Sequence, residues 1–127
     1  MIANNSIVSK SAKTILDGID NLLDTAKADY LNWTSHGGNK TLTDINHRMI
    51  ADYNNGFRVK SGSKYIKILS NNGGSVWAFV VKNDGGKFRA GDLLMAAGWN
   101  KPATNAARGN VLDGNYAIRW TGPLYLK

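Results

Sequence analysis

The stretch FRVKSGSKYIKILSNNGGSVWAFVVK, residues 57–82, decides the fold of this chain. It contains three runs rich in β-branched and aromatic residues, separated by the turn-forming stretches SGS and NNGG. Such runs, bounded by glycine, serine and asparagine, are typical of short strands joined by tight turns. The third run is apolar on both faces, with Trp77, Phe79 and Val81 on one of them, which predicts a central strand and a core position for Trp77. The stretch therefore predicts a small, mostly antiparallel sheet.

Before this sheet the apolar residues follow helical spacing. From Val8 to Trp33 they recur every three or four residues, which predicts a long helix that Ser9 or Ser11 caps and Gly37 ends. At about 1.5 Å per residue this helix would be about 40 Å long. Because a small sheet is narrower than that, we expect the apolar stripe of the helix to continue onto another copy of the chain.

A second, shorter helix is predicted from Thr43 to Tyr53. Thr41 and Asp44 form a weak capping-box pattern before it, and the stretch NNG closes it. The apolar residues of this segment share one helical face, as expected for a helix that packs on a neighbour.

After the three strands, the stretch NDGG at residues 83–86 is the strongest hairpin signal in the chain. Asp92 is expected to cap a short helix that stops at Gly98, and residues 100–115 are expected to be irregular. The run YAIRWT, residues 116–121, predicts a last strand with Trp120 facing inward. The predicted fold is a single α+β domain over residues 1–127, in which a long N-terminal helix and a short second helix precede the sheet.

Charge is divided unevenly between the two parts of this domain. Residues 1–55, the helical part, hold five Lys and Arg against six Asp, a net charge of −1. Residues 56–127, the β-rich part, hold eleven against three, a net charge of +8, and together they give the overall +7. A surface that collects this much positive charge usually meets an anionic partner.

Residue types that carry catalysis or bind metals are scarce. The chain has no cysteine and two histidines, His36 and His47, both in the helical part. Two histidines without cysteine form a poor metal set, and no spacing supports a serine–histidine–acid triad. The aspartates Asp84, Asp92 and Asp113 each have a structural explanation in a turn or a helix cap. We therefore expect a binding protein rather than an enzyme, with no catalytic residue, no metal and no cofactor.

The irregular stretch WNKPATNAARGN, residues 99–110, is the best candidate for a ligand site. Bases stack on aromatic rings, amides read base edges or ribose hydroxyls, and arginine holds a phosphate with two parallel hydrogen bonds. The structural alternative is that its tryptophan is core, its asparagines satisfy the turn backbone and its arginine caps a helix. The predicted ligand-binding residues, in this stretch and beside it, are Phe88, Trp99, Asn100, Asn105, Arg108, Gly109, Asn110 and Arg119.

The stretch KFRAGDLLMAAGWNKPATNAARGNV, residues 87–111, followed by YAIRWTG at 116–122, resembles the first Thoeris anti-defence family. The members of this family are phage proteins that act as sponges for the immune signal made by TIR-domain enzymes. The resemblance implies a protein that captures a cyclic ADP-ribose isomer without cleaving it, inside an infected bacterial cell. It also implies a homo-oligomer, a hexamer in the family, of which some members hold cyclic oligonucleotides at separate sites between subunits.

Two other interpretations of the charge stay open. One is a small module that binds single-stranded DNA or RNA, although no dense Lys/Arg cluster is present. The other is a virion or assembly protein without a specific ligand. No run of about 18 apolar residues is present, so no membrane span is expected. The N-terminus shows no secretory signal, and with the lack of cysteine this favours a cytoplasmic protein.

Overall fold

The computed structural model describes residues 6–124 and has the α+β architecture that the sequence predicts. The helices are α1 (Ile15–Thr34) and α2 (Asp44–Asn55). The strands, in chain order, are β1 (Ser6–Val8), β2 (Arg58–Ser61), β3 (Tyr65–Ser70), β4 (Ser75–Val81), β5 (Leu93–Leu94), β6 (Ala96–Gly98), β7 (Lys101–Pro102), β8 (Tyr116–Arg119) and β9 (Gly122–Pro123). They form antiparallel sheets in the orders β2-β3-β4-β5, β1-β8-β9 and β6-β7.

Helix α1 is shorter than its apolar spacing predicts. Thr14 caps it, since its Oγ1 accepts a hydrogen bond from the Asp17 N–H at 3.1 Å. Val8 instead lies in β1, where it pairs with Tyr116 of β8, so the predicted cap at Ser9 or Ser11 is wrong. Twenty residues span about 30 Å. The helix length therefore no longer argues for a contact with another copy.

Helix α2 lies close to its predicted range and begins with a different capping box. The Oγ1 of Thr43 accepts from the Asn46 N–H at 3.2 Å, and the Asn46 Oδ1 accepts from the Thr43 N–H at 3.0 Å. Thr41 and Asp44 do not form the predicted box. None of the residues in α2 is fully buried, and Ile45 and Met49 are exposed.

Strand β4 is the central strand that its two apolar faces predict, because it pairs with both β3 and β5. A bulge interrupts the β3–β4 register next to Leu69, and Trp77 is the extra residue. The bulge turns Trp77 to the same core as its neighbour Ala78, so the predicted alternation is wrong at this residue. The predicted core position of Trp77 is confirmed, since the side chain is buried.

The short helix predicted after Asp92 does not form. Leu93 and Leu94 make strand β5 instead, and Leu94 pairs with Phe79 of β4. Both leucines are fully buried. Since neighbouring strand residues point to opposite faces of the sheet, a strand beside β4 can bury both leucines, which favours it over a single helical turn. Upstream of β5, the predicted turn is present as a tight loop in which Gly85 and Phe88 exchange backbone hydrogen bonds of 3.0 and 3.2 Å.

The four-stranded sheet separates two apolar clusters. The larger lies on the side of α1 and includes Leu22, Ala26, Ile66, Ile68 and Val80. The smaller lies on the opposite side, around Phe79, Val81 and Leu94 with Tyr65 and Phe88 packed against it. No helix among the described residues is long and apolar enough to cross a bilayer. The N-terminal residues 1–5, part of the stretch in which no secretory signal is expected, lie outside the described range.

A buried polar group ties the helices to the sheets. The Asp29 carboxylate in α1 accepts from the Ser6 Oγ–H at 2.6 Å and from the Trp120 N–H at 2.8 Å. The Trp120 carbonyl accepts from the Trp77 Nε1–H at 2.9 Å and from the Tyr53 hydroxyl of α2. Burial raises the pKa of the Tyr53 hydroxyl, so it stays a donor even in alkaline solution.

Replacing Asp29 is therefore expected to destabilise the whole domain. Asp29→Ala leaves the Trp120 N–H and the Ser6 hydroxyl without their acceptor, which should lower the free energy of unfolding by about 1–3 kcal/mol. Asp24→Ala, at an exposed site on the same helix, is the control and should change it by less than about 0.5 kcal/mol. Urea unfolding followed by tryptophan fluorescence measures both variants, and equal losses would contradict this role of Asp29.

Candidate ligand-binding site

The predicted ligand stretch, residues 99–110, follows strand β6 and includes β7. Trp99 and Asn100 form the turn between these strands, and 51% of the Trp99 surface is exposed. Lys67 of β3 reaches both residues. Its Nζ donates to the Asn100 Oδ1 at 2.6 Å and lies 4.7 Å from the centre of the Trp99 ring. This contact fixes Trp99 and Asn100 against the sheet at the side opposite α1.

Arg108 is held by its own chain. Its Nε donates to the Leu124 carbonyl at 3.1 Å, and one terminal nitrogen donates to the Asn105 Oδ1 at 3.1 Å and to the Ala106 carbonyl at 2.6 Å. The other terminal nitrogen lies 3.8 Å from the Met95 sulfur. Arg108 and Asn105 are thus brought together, and Arg108 fastens the loop to the following segment at Leu124. A guanidinium held in this way has few donors left for a phosphate.

Asn110 and Gly109 also have structural partners. The buried Asn110 amide donates to the Ala90 carbonyl and the Asp92 carboxylate, each at 3.0 Å, and its oxygen accepts from two backbone N–H groups at 2.8 and 3.2 Å. Gly109 has a φ of +151°, and a Cβ there would lie 2.5 Å from the ring of Tyr116. Only glycine fits this approach. Gly109 lets the loop pack against Tyr116 of β8, and Asn110 ties the loop to Ala90 and Asp92.

The remaining predicted residues lie apart from Arg108. Arg119 is exposed on β8, and among residues 6–124 its side chain is in no hydrogen bond or ion pair. Phe88 is half-buried and lines a cavity beside the tight loop of residues 85–88. Arg108 and Arg119 line neither of the two cavities that lie beside Tyr65. The eight predicted residues therefore do not form one site in the single chain.

A cationic groove lies on the sheet beside Asn100, and we call it the lysine groove. Its volume is about 410 Å³, within the range of about 300–1,000 Å³ that is usual for small-molecule sites. Aromatic rings and lysine side chains line it, together with the turn between β2 and β3. Its lining residues are Lys60, Ser61, Gly62, Ser63, Lys64, Tyr65, Lys67, Phe79 and Asn100.

The strand register explains how the lysines converge. Lys60 of β2 lies directly opposite Lys67 of β3, and Lys67 lies opposite Phe79 of β4. Residues in this relation have Cβ atoms about 4.5–5.5 Å apart on the same face, and like charges there are destabilising. No carboxylate lines the groove to offset them. Within residues 6–124, the side chains of Lys60 and Lys64 are in no hydrogen bond or ion pair.

The turn that carries Lys64 is held in place. The Gly62 N–H donates to the Tyr65 carbonyl at 2.8 Å, and the Gly62 carbonyl accepts from the Lys82 Nζ at 2.8 Å. The Lys82 N–H in turn donates to the Lys64 carbonyl at 3.0 Å. The groove is therefore formed in advance of any ligand, which lowers the entropy that binding costs.

A second cavity of about 360 Å³ adjoins the lysine groove. The two share Ser63, Lys64 and Tyr65 in their linings, so they lie side by side on this face of the sheet, and together we call them the depression. The adjoining cavity is lined in addition by Val81, Asn83, Asp84, Gly85, Gly86 and Phe88. Phe88 and Asn100, both predicted from the sequence, thus line the two ends of the same depression.

Several residues of this depression escaped the sequence analysis. Lys60, Lys64 and Tyr65 were not among the predicted ligand residues, although Lys60 and Lys67 sit symmetrically about the turn at residues 62–65. The register of that hairpin is the signal that could have found them. Within residues 6–124, no group of three or more His, Cys, Asp or Glu gathers as in a metal site.

The fold and the groove define a small α+β protein with a cationic, ring-bearing depression on one face of its sheet. Residues 3–125 match a family model described as "Family of unknown function (DUF7717)", and the chain belongs to this family. No curated protein and no solved structure matches the chain.

The structural role of Asn110 can be separated from ligand binding. Asn110→Ala removes four hydrogen bonds from a buried position and should lower the free energy of unfolding by about 2–3 kcal/mol. Asn105→Ala, in the same loop but exposed, should lower it by less than about 1 kcal/mol. Thermal and urea unfolding measure both, and a larger loss for Asn105→Ala would overturn this assignment.

Proposed function

We propose that this protein binds a compact anionic nucleotide in the lysine groove and holds it without breaking its bonds. The observation that carries the proposal is the placement of Lys60 opposite Lys67 on neighbouring strands, with Lys64 at the adjoining turn. Like charges in this relation cost folding free energy. An anion bound between the two lysines would remove that cost. Neither the apolar core nor the pairing of the strands needs two lysines at these positions.

The walls of the groove favour a ligand with both phosphates and a ring. Tyr65 is half-buried and presents aromatic surface beside the lysines, and Trp99 is half exposed next to Lys67. A base that stacks on such a ring gains about 1–3 kcal/mol. The lining offers serine hydroxyls and an amide, but neither histidine nor carboxylate to act as a general base. These features support capture rather than turnover.

The resemblance of residues 87–122 to the first Thoeris anti-defence family suggests which nucleotide to test. On that basis we propose a phage protein that sequesters a cyclic ADP-ribose isomer in the cytoplasm of an infected bacterium. A homo-oligomer is part of this proposal. The exposed apolar side chains of the two helices, which a second copy could cover, support it; they are Leu16, Leu31, Trp33, Ile45 and Met49.

Binding and recovery of the ligand test this function. The protein is expected to bind a cyclic ADP-ribose isomer saturably in calorimetry and, after heat denaturation and filtration, to release it with unchanged mass. Recovery of a hydrolysed product would make it an enzyme. A single-stranded oligonucleotide that binds more tightly, with affinity falling steeply as salt rises, would favour the nucleic-acid alternative. No saturable binding of either would overturn the proposal.

Lys60 provides a sharper test, because binding and stability should change in opposite directions. Lys60→Gln is expected to weaken nucleotide binding about tenfold, as for the loss of one charged hydrogen bond. The same change removes the repulsion with Lys67 and should raise the free energy of unfolding by up to about 1 kcal/mol. Calorimetry and urea unfolding give the two values.

The control for this variant is Lys40→Gln, which makes the same charge change at an exposed site after α1. It should change nucleotide affinity by less than about twofold at moderate salt, because salt screens the interaction between exposed charges that lie more than about 10 Å apart. Equal losses of affinity in both variants would show that net charge, rather than the lysine groove, attracts the ligand.

A further inference from the structure

The adjoining cavity differs in chemistry from the lysine groove with which it shares Lys64 and Tyr65. Its walls include the rings of Tyr65 and Phe88, and Asp84 contributes a carboxylate. The lysine groove has three lysines and no carboxylate. The lysine groove therefore attracts phosphates, whereas in the adjoining cavity Asp84 offsets the charge of Lys64 and offers an acceptor to a hydrogen-bond donor.

Asp84 is held in a fixed position. Its Oδ1 accepts from the Ala90 N–H at 2.8 Å. The loop around it is closed by the backbone pair between Gly85 and Phe88 and by the Gly91 N–H, which donates to the Val81 carbonyl at 2.8 Å. Among residues 6–124, the Asp84 Oδ2 is in no hydrogen bond. A charged acceptor with one oxygen anchored and one free is suited to reading a single donor on a ligand.

The rings beside Asp84 suit a flat ligand. Tyr65 packs edge-on to Phe79 with ring centroids 5.9 Å apart, and Phe88 packs against the same apolar cluster. Both rings are half-buried, so they are fixed and still present surface to the cavity. A base lying on these rings would bring its edge toward the loop that carries Asp84.

We infer that one nucleotide spans both cavities, with its phosphates among Lys60, Lys64 and Lys67 and an amino-bearing base on Tyr65 and Phe88. The exocyclic amino group donates to Asp84, which makes Asp84 the residue that selects the base. This inference rests on the proposed function and adds the orientation of the ligand. It assigns a preference for bases with an amino group, such as adenine, over bases with a carbonyl at the same position, such as hypoxanthine.

ADP and IDP test the preference, since their bases differ in this one group. The protein should bind ADP about tenfold more tightly than IDP, the loss expected when a charged acceptor faces a carbonyl instead of a donor. Asp84→Asn should reverse the order, because its amide oxygen keeps the Ala90 N–H and its NH₂ faces the base. Asp20→Asn, an exposed site on α1, makes the same charge change and should leave the ratio unaltered.

Inorganic pyrophosphate tests the lysine groove as a phosphate site separately from the assignment of Asp84 as the residue that selects the base. It should bind the Asp84→Asn variant at least as tightly as the original chain, since only the lysine groove holds it and a negative charge has been removed. If pyrophosphate, ADP and IDP all fail to bind, the lysine groove is not a nucleotide site and both proposals fall. If all three bind but ADP and IDP bind equally, the assignment of Asp84 alone is overturned.

Discussion

The backbone N–H and C=O of Trp120 make the hydrogen bonds on which the rest of the structure depends. Its N–H donates to the buried Asp29 of α1, and its carbonyl accepts from Tyr53 of α2 and Trp77 of β4. Asp29 also accepts from Ser6 of β1. The helices and strands that these hydrogen bonds join cannot each bury enough apolar surface to be stable alone. These hydrogen bonds fix their relative positions, and beside them the rings of Tyr30, Tyr53 and Trp120 pack together, with Tyr30 stacked on Tyr53.

That arrangement commits one face of the four-stranded sheet to the larger apolar cluster and leaves the other face open at its β2–β3 end. Ile66 and Ile68 of β3 point to α1, so Tyr65 and Lys67 necessarily face away from it. The smaller cluster around Phe79 supports this second face but does not cover its end at the β2–β3 turn. The position of the lysine groove thus follows from the packing of α1, because a one-residue slip of β3 would bury the lysine instead.

The sequence predicted the parts of the fold that local patterns control. The strands between residues 57 and 82 follow from alternation and turn residues, and α2 follows from its apolar spacing and NNG stop. The start of α1 and strand β5 were missed, because Val8 and Leu93 fit either periodicity and only their distant partners decide between them. No residue pattern near Trp77 predicts the bulge, because the indole that it turns inward is held by a hydrogen bond to the distant Trp120 carbonyl.

The candidate site was harder to predict for a related reason. Polar residues in an irregular loop, such as Arg108 and Asn110, are indistinguishable by composition from ligand contacts, yet here they satisfy the backbone that no strand or helix pairs. Lys60 and Lys67 have the opposite character, since each is an ordinary strand residue until the register sets them face to face. The hydrogen bonds of Arg108 and Asn110 within the fold account for their presence. Two lysines side by side on one face, with no carboxylate near them, do not stabilise the fold. The second kind of residue is therefore the one on which the proposed function rests.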